Sequence, residues 1–143
     1  MQDRFLFRGK RVATGEWEQG YLSKGRYYGY KENSLQFCID QEESGVMITL
    51  VVGPGTIGQC TGLRDKNGTL VFEGDIVKCV IDENEDELEI YCVAYENYSW
   101  ELQNDYYDNE MLENFVNDYT TLEIIGNIYD NQELLQERDN SAE

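Results

Sequence analysis

Gly58-Gln-Cys-Thr-Gly-Leu-Arg-Asp-Lys-Asn-Gly-Thr-Leu-Val-Phe-Glu-Gly-Asp-Ile-Val-Lys78 is the stretch from which the fold can be read. Asp65-Lys66-Asn67-Gly68 has Asp at the first and Gly at the last position of a tight turn, with β-favouring residues on both sides, which predicts a hairpin over Leu63 to Phe72. Such a turn demands a left-handed residue, expected at Asn67 or Gly68. Glu73-Gly74-Asp75 then stops one strand, and Ile76 to Ile81 starts the next. The stretch specifies a fold and lays out no catalytic centre.

Working outward, the chain before it consists of short apolar or aromatic runs broken by glycine: Phe5-Leu6-Phe7, Trp17 to Leu22, Arg26 to Lys31, Leu35 to Ile39 and Val46 to Val52. These read as antiparallel strands, with turns at Ser23-Lys24-Gly25, Glu32-Asn33-Ser34 and Glu42-Glu43-Ser44-Gly45. Gly53-Pro54-Gly55 holds the only proline and marks the expected boundary between an N-terminal β layer, residues 1–57, and a core, residues 58–132. After the hairpin, Ile76 to Ile81, Leu88 to Tyr95, Ser99 to Gln103 and Thr120 to Tyr129 are strand-like, and Glu96-Asn97-Tyr98 is a turn. Met111-Leu112 and Phe115-Val116 recur at helical spacing and predict one or two helical turns. Asn131 is expected to cap a short amphipathic turn over Gln132 to Leu135, and residues 133–143 form a C-terminal turn and frayed tail. Ile76, Val77, Val80, Val93, Leu122, Ile124 and Ile128 are the expected core.

The central stretch resembles the YopX family of phage and prophage proteins. Two further stretches agree: Phe7-Arg8-Gly9-Lys10-Arg11 with Thr14-Gly15-Glu16-Trp17 and Gly20-Tyr21, and Ile125-Gly126-Asn127-Ile128-Tyr129-Asp130-Asn131 with Glu133-Leu134-Leu135. Cys60, Ala13 and Gln132 depart from the family pattern, which usually has an aromatic, an acidic residue and Pro at those places. The resemblance implies an SH3-like β-barrel architecture and a mobile-element origin. It brings no established activity with it.

The composition fits a folded protein, with 41% apolar residues over 143. The longest apolar stretch, Val46 to Val52, is far short of the ~20 residues that a membrane helix needs. Met1 to Arg8 carries no apolar run followed by a small-residue cleavage site, so the bacterial cytoplasm is the expected location. Cys38, Cys60, Cys79 and Cys92 form no Cys-x-x-Cys pair and there is no histidine, which argues against structural zinc. Four buried, reduced thiols are expected, although the spacing alone leaves a disulfide open.

Charge is unevenly placed. Residues 1–81 hold ten acids and ten bases, while residues 82–143 hold nineteen acids against Arg138 alone, so the net charge of −18 all arises in the C-terminal portion. Residues 4–31 carry seven bases against Glu16 and Glu18. A strongly negative chain repels nucleic acid and favours a basic protein partner. The two poles, together with exposed sheet edges, also lead us to expect pairing between copies.

Each candidate site has a plainer reading. Asp82-x-Asn84-x-Asp86 imitates the start of a calcium loop, but Glu87 replaces the turn glycine and Val93 the bidentate Glu, so a solvated loop is expected. Asp105, Asp108, Glu110, Glu113 and Asp118, set among Tyr106, Tyr107 and Tyr119, contain enough carboxylates for acid–base chemistry, for a divalent metal, or for imitating a phosphate backbone. They equally make a solvated acidic face. Tyr21, Tyr27, Tyr28 and Tyr30, interleaved with Lys24, Arg26 and Lys31, have the composition of a single-strand nucleic-acid face and also of ordinary cross-strand pairs. Total charge favours the pairs. Arg8-Gly9-Lys10-Arg11 reads as a basic turn. Without histidine, the commonest nucleophile–base pairs are missing. The expectation is therefore a mainly β, non-catalytic interaction protein with no cofactor, no metal and no catalytic residue. The rival readings are an acidic DNA mimic that inhibits a DNA-binding protein, and a metal-dependent hydrolase or nuclease.

Overall fold

The computed structural model describes residues 5–26, 34–80, 88–104, 109–112 and 121–135. The chain divides into two units, Met1–Gly62 and Leu63–Glu143. The division falls inside a strand, several residues beyond Gly53-Pro54-Gly55.

The first unit holds β1 (Phe7–Lys10), β2 (Trp17–Gly25), β3 (Gln36–Glu43), β4 (Val46–Val52) and the start of β5 (Gly58–Arg64), antiparallel in the order β4-β3-β2-β1-β5. β2 serves two neighbours in succession: Trp17 to Gly20 pair with β1, and Tyr21 to Gly25 pair with β3. The change of partner falls at Gly20, where a Cβ would lie 2.3 Å from the Asp40 carbonyl oxygen and 2.8 Å from Ile39 Cγ2. Only glycine admits so close an approach. The turn expected at Ser23-Lys24-Gly25 is a continuation of this strand, because those residues are held in register by Phe37, Cys38 and Gln36 of β3. β3 likewise runs through Glu42-Glu43, and the reversal is a tight turn at Ser44 and Gly45, both with positive φ.

At the other end of β4, Arg11 makes one isolated bridge with Val52, Val12 N–H donates to the Val51 carbonyl at 3.0 Å and Gly53 N–H donates to the Lys10 carbonyl at 2.9 Å. Pro54–Thr56 is a single 3₁₀ turn whose Thr56 Oγ1 accepts from Lys10 N–H and donates to the Gly53 carbonyl.

In the second unit β5 ends beside β6 (Leu70–Phe72), and a five-stranded antiparallel sheet follows: β7 (Asp75–Val80), β8 (Leu88–Glu96), β9 (Ser99–Gln103), β10 (Glu110–Met111) and β11 (Thr121–Asn127), in the order β10-β9-β8-β7-β11. A register shift between Ile124 and Gly126 interrupts the β11–β7 ladder. The core packs Val71, Val77, Cys79, Tyr91, Val93, Leu102, Leu112 and Leu122, with Leu63, Trp100 and Ile124 against it. Burying each of the larger aliphatic side chains contributes about 1.5–3 kcal/mol. Of the other expected core residues Ile76 is buried and Ile128 half-buried, while the Val80 side chain lies outside the description.

The fold is mainly β, built from two open antiparallel sheets. Among the described residues the strand pairings do not close an SH3-like barrel. Where helical turns are expected, Met111 still belongs to β10, opposite Glu101, and the next residue, Leu112, is buried and in 3₁₀ conformation. Phe115 and Val116 lie outside the described residues, as do Tyr27 to Lys31. Gln132–Leu135 is a short 3₁₀ turn. Asn131 does not cap it through its side chain, whose Oδ1 accepts from Asn127 N–H behind it at 3.2 Å.

Candidate interaction surface

Two carboxylates of the central stretch, Asp65 and Asp75, are committed to the backbone. Asp65 is buried, and its Oδ1 accepts from the N–H groups of Asn67 and Thr69, both at 2.9 Å, which fixes the turn. Gly68 supplies the left-handed residue at φ 82°. The other oxygen, Oδ2, accepts from Ile124 N–H at 3.1 Å, while Lys66 N–H donates to the Leu122 carbonyl, so the turn is tied to β11. Asp75, also buried, accepts from Phe72 N–H at 2.7 Å and closes the next reversal. Beside the hairpin, Glu123 meets Lys78 at 3.0 Å and Lys66 at 3.7 Å and accepts from Asn67. The hydrogen bonds from Lys78 and then Asn67 hold its carboxyl below the usual value.

The nucleophilic side chains of the core are quiet. Burial, and then the Glu89 carboxylate opposite, push the Cys79 thiol up to about 12, so it is not a thiolate at neutral pH. Burial likewise raises the Tyr91 hydroxyl, which donates to Glu89. All four cysteines are free, with Cys38, Cys60 and Cys79 buried and Cys92 half-buried.

Arg8-Gly9-Lys10 is strand and not a basic turn. Its alternate residues Arg8 and Lys10 lie over the Trp17 ring at 4.8 and 5.5 Å, where the ring face attracts the cations. Lys24 lies over Phe37, its cross-strand partner, at 4.8 Å, and Tyr21 is exposed opposite Asp40. Tyr21 and Lys24 thus stand in cross-strand pairs, while Arg26 lies just beyond the end of β2. Asp82, Asn84, Asp86, Asp105, Asp108, Glu113 and Asp118 lie outside the described residues, and Glu110 stands in β10 opposite Leu102. Among the described residues no three Cys, Asp or Glu side chains converge to hold a metal ion.

What the described part of the acidic unit does present is the end of the β8–β9 hairpin. Asn97 and Tyr98 form its two-residue turn at φ 51° and 65°, the geometry in which Asn-Gly is favoured, yet here the second residue is tyrosine. Tyr98 is 95% exposed. Behind it Tyr95, 51% exposed, meets Trp100 edge to face at 5.1 Å, and Trp100 rests on the core. Glu96 is exposed alongside, held by Gln103 Nε2 at 2.9 Å. The turn was readable from Glu96-Asn97-Tyr98, but its display of aromatics was not. A tyrosine where the turn prefers glycine is the signal that could have revealed it.

A family model described as YopX protein matches residues 6–136. The chain belongs to the YopX family. Among solved structures it is similar to protein yopX from Bacillus subtilis, with a TM-score of 0.57 at 13% identity over 94% of this chain and 98% of that one. It is also similar to protein EF1440 from Enterococcus faecalis, with a TM-score of 0.50 at 24% identity over 91% and 96%. At these identities the likeness shows the YopX fold alone. No curated protein matches the chain. Among the described residues of this YopX-family chain, no helix is long and apolar enough to cross a membrane.

Proposed function

We propose that this protein acts without chemistry, as a cytoplasmic interaction module that holds a basic protein partner through its acidic C-terminal portion. On the strength of the family resemblance we extend the proposal to a phage or prophage origin and to an SH3-like curvature of the second unit. The observation that carries the reading is the end of the β8–β9 hairpin. A left-handed backbone costs a side-chain-bearing residue roughly 1–2 kcal/mol, a cost that glycine escapes. The chain bears that cost at Tyr98 to set an aromatic ring almost wholly in solvent, at the tip of a hairpin whose strand β8 ends in the exposed Tyr95 and Glu96. Aromatic faces and carboxylates together suit lysine and arginine side chains, through cation–π attraction and charge-assisted hydrogen bonds. Asp65 and Asp75 support the same reading from the other side, because they are occupied with backbone N–H groups.

The test is capture from host and phage-infected lysates with three baits: the native chain, a Tyr95→Ser/Tyr98→Gly variant, and a Glu96→Gln/Glu101→Gln variant. A basic polypeptide retained by the native bait and lost from both variants is the expected result. The reading fails if the variants capture the same polypeptides as the native bait, or if the purified protein turns over nucleic acid or ester substrates with a divalent metal.

A further inference from the structure

β4 is the outer strand of its sheet, and its sequence, Val46-Met-Ile-Thr-Leu-Val-Val52, contains no charge and no proline. Edge strands ordinarily carry one or the other, because a bare row of N–H and C=O groups is a template for another strand. Which groups of β4 face outward follows from one hydrogen bond. Val12 N–H donates to the Val51 carbonyl, so residue 51 directs its peptide groups away from β3. The alternation of an antiparallel strand turns those of Thr49 and Met47 the same way, leaving Val46, Ile48, Leu50 and Val52 to bond with β3. Among the described residues nothing bonds to the outward N–H and C=O groups of Met47 and Thr49.

We propose that β4 pairs antiparallel with β4 of a second copy about a two-fold axis at Ile48. In that register Met47 faces Thr49 of the second copy and exchanges both hydrogen bonds with it, and Thr49 faces Met47, so all four outward groups of each chain find partners. Ile48 meets its own image and Val46 meets Leu50, apolar pairs of the kind that stabilise a ladder. The ladder also ends where it must. The next outward residue, Val51, has its carbonyl taken by Val12 and would fall opposite Gly45, where the chain has already turned at φ 80°. Pairing covers Val46 and Met47, now 61% and 58% exposed.

Charge selects a second copy as the occupant. Residues 1–62, the unit that carries β4, hold seven acids and seven bases, while the whole net charge of −18 resides in the other unit. Two copies therefore approach most easily edge to edge through the neutral unit, and a basic partner is drawn to the acidic one.

The test is sedimentation equilibrium of the full chain at 0.1 and 1 M salt, with Thr49→Pro and Thr49→Lys beside the native protein. Proline deletes an outward N–H while sparing the β3 ladder, and lysine places like charges near the axis without touching the backbone. We expect a native dimer of similar strength at both salts, since an apolar ladder is not screened, and dimerisation weaker by about tenfold or more in both variants with unchanged circular dichroism. Native protein that stays monomeric up to about 1 mM overturns the proposal, as does a dimer that dissolves in salt, or folded variants that pair as tightly as the native chain. If Thr49→Pro fails to fold, Thr49→Lys decides.

Discussion

Asp65→Ala removes the carboxylate that locks the central turn, and its cost can be worked from three hydrogen bonds. The N–H groups of Asn67 and Thr69 belong to exposed residues, so water replaces the lost acceptor and each bond is worth about 0.5–1 kcal/mol. Ile124 N–H is at a half-buried residue of β11, and leaving it without its charged acceptor costs about 1.5–2 kcal/mol. The sum is about 2.5–4 kcal/mol, or a fall in Tm of about 10 °C for a chain of this size. Asp65→Asn makes an internal control. Its single carbonyl can serve the turn or Ile124 but not both, and its amide sets a donor against whichever side is left, so about half the loss is expected. Urea unfolding followed by circular dichroism measures both, with equal slopes confirming that the comparison is of stability alone. If Asp65→Ala lies within about 0.5 kcal/mol of the native protein, the tie to β11 is not what holds this hairpin in place.

Three further outcomes are expected. Gly20→Ala drives a Cβ against the Asp40 carbonyl and costs more than about 3 kcal/mol, whereas Gly68→Ala meets no atom within 4 Å and suffers only backbone strain of about 1–2 kcal/mol; thermal melts that reverse this order refute the strand-switch geometry. Because Lys78 and Asn67 lower the Glu123 carboxyl in the folded state, its contribution is complete above the ordinary glutamate value of about 4.3 and is lost as the pH falls through the lowered native one. Glu123→Gln should thus flatten the acid limb of the stability–pH curve, and superimposable limbs would count against the ion pair. Cys79 should stay unmodified by a thiol reagent at pH 8 until the protein unfolds, and peptide mapping that finds it labelled in the folded protein at the rate of a free thiol contradicts its burial.

What the sequence made legible was local. The hairpin turn and the strands Val46–Val52 and Ser99–Gln103 were readable because turn chemistry and apolar runs act within a few residues. The misreadings share a cause. Ser23-Lys24-Gly25 looks like a turn until Gln36, Phe37 and Cys38 are set beside it, and Arg8-Gly9-Lys10-Arg11 looks like one until Trp17 arrives under its cations. The function of Gly20 depends on the Asp40 carbonyl, and nothing near Gly20 announces it. The aromatic end of β8–β9 was missed for a different reason: alternation tells which face a residue takes, but not that Tyr95 lies beyond the end of the core.

The third hydrogen bond of Asp65 also has a temporal meaning. Its partners Asn67 and Thr69 leave the ribosome within moments of it, and a hairpin closes in about 1–10 μs, so the turn can form as soon as it emerges. Ile124 lies 59 positions later, which at about 5–20 residues per second is a wait of roughly 3 to 12 seconds. Through that interval the nascent chain carries a finished turn with one carboxylate oxygen still facing water. The second unit cannot lock until roughly three-quarters of it has been made, so β11 acts as the last strand of the assembly, and a chain cut short before Ile124 keeps the turn but loses the clasp.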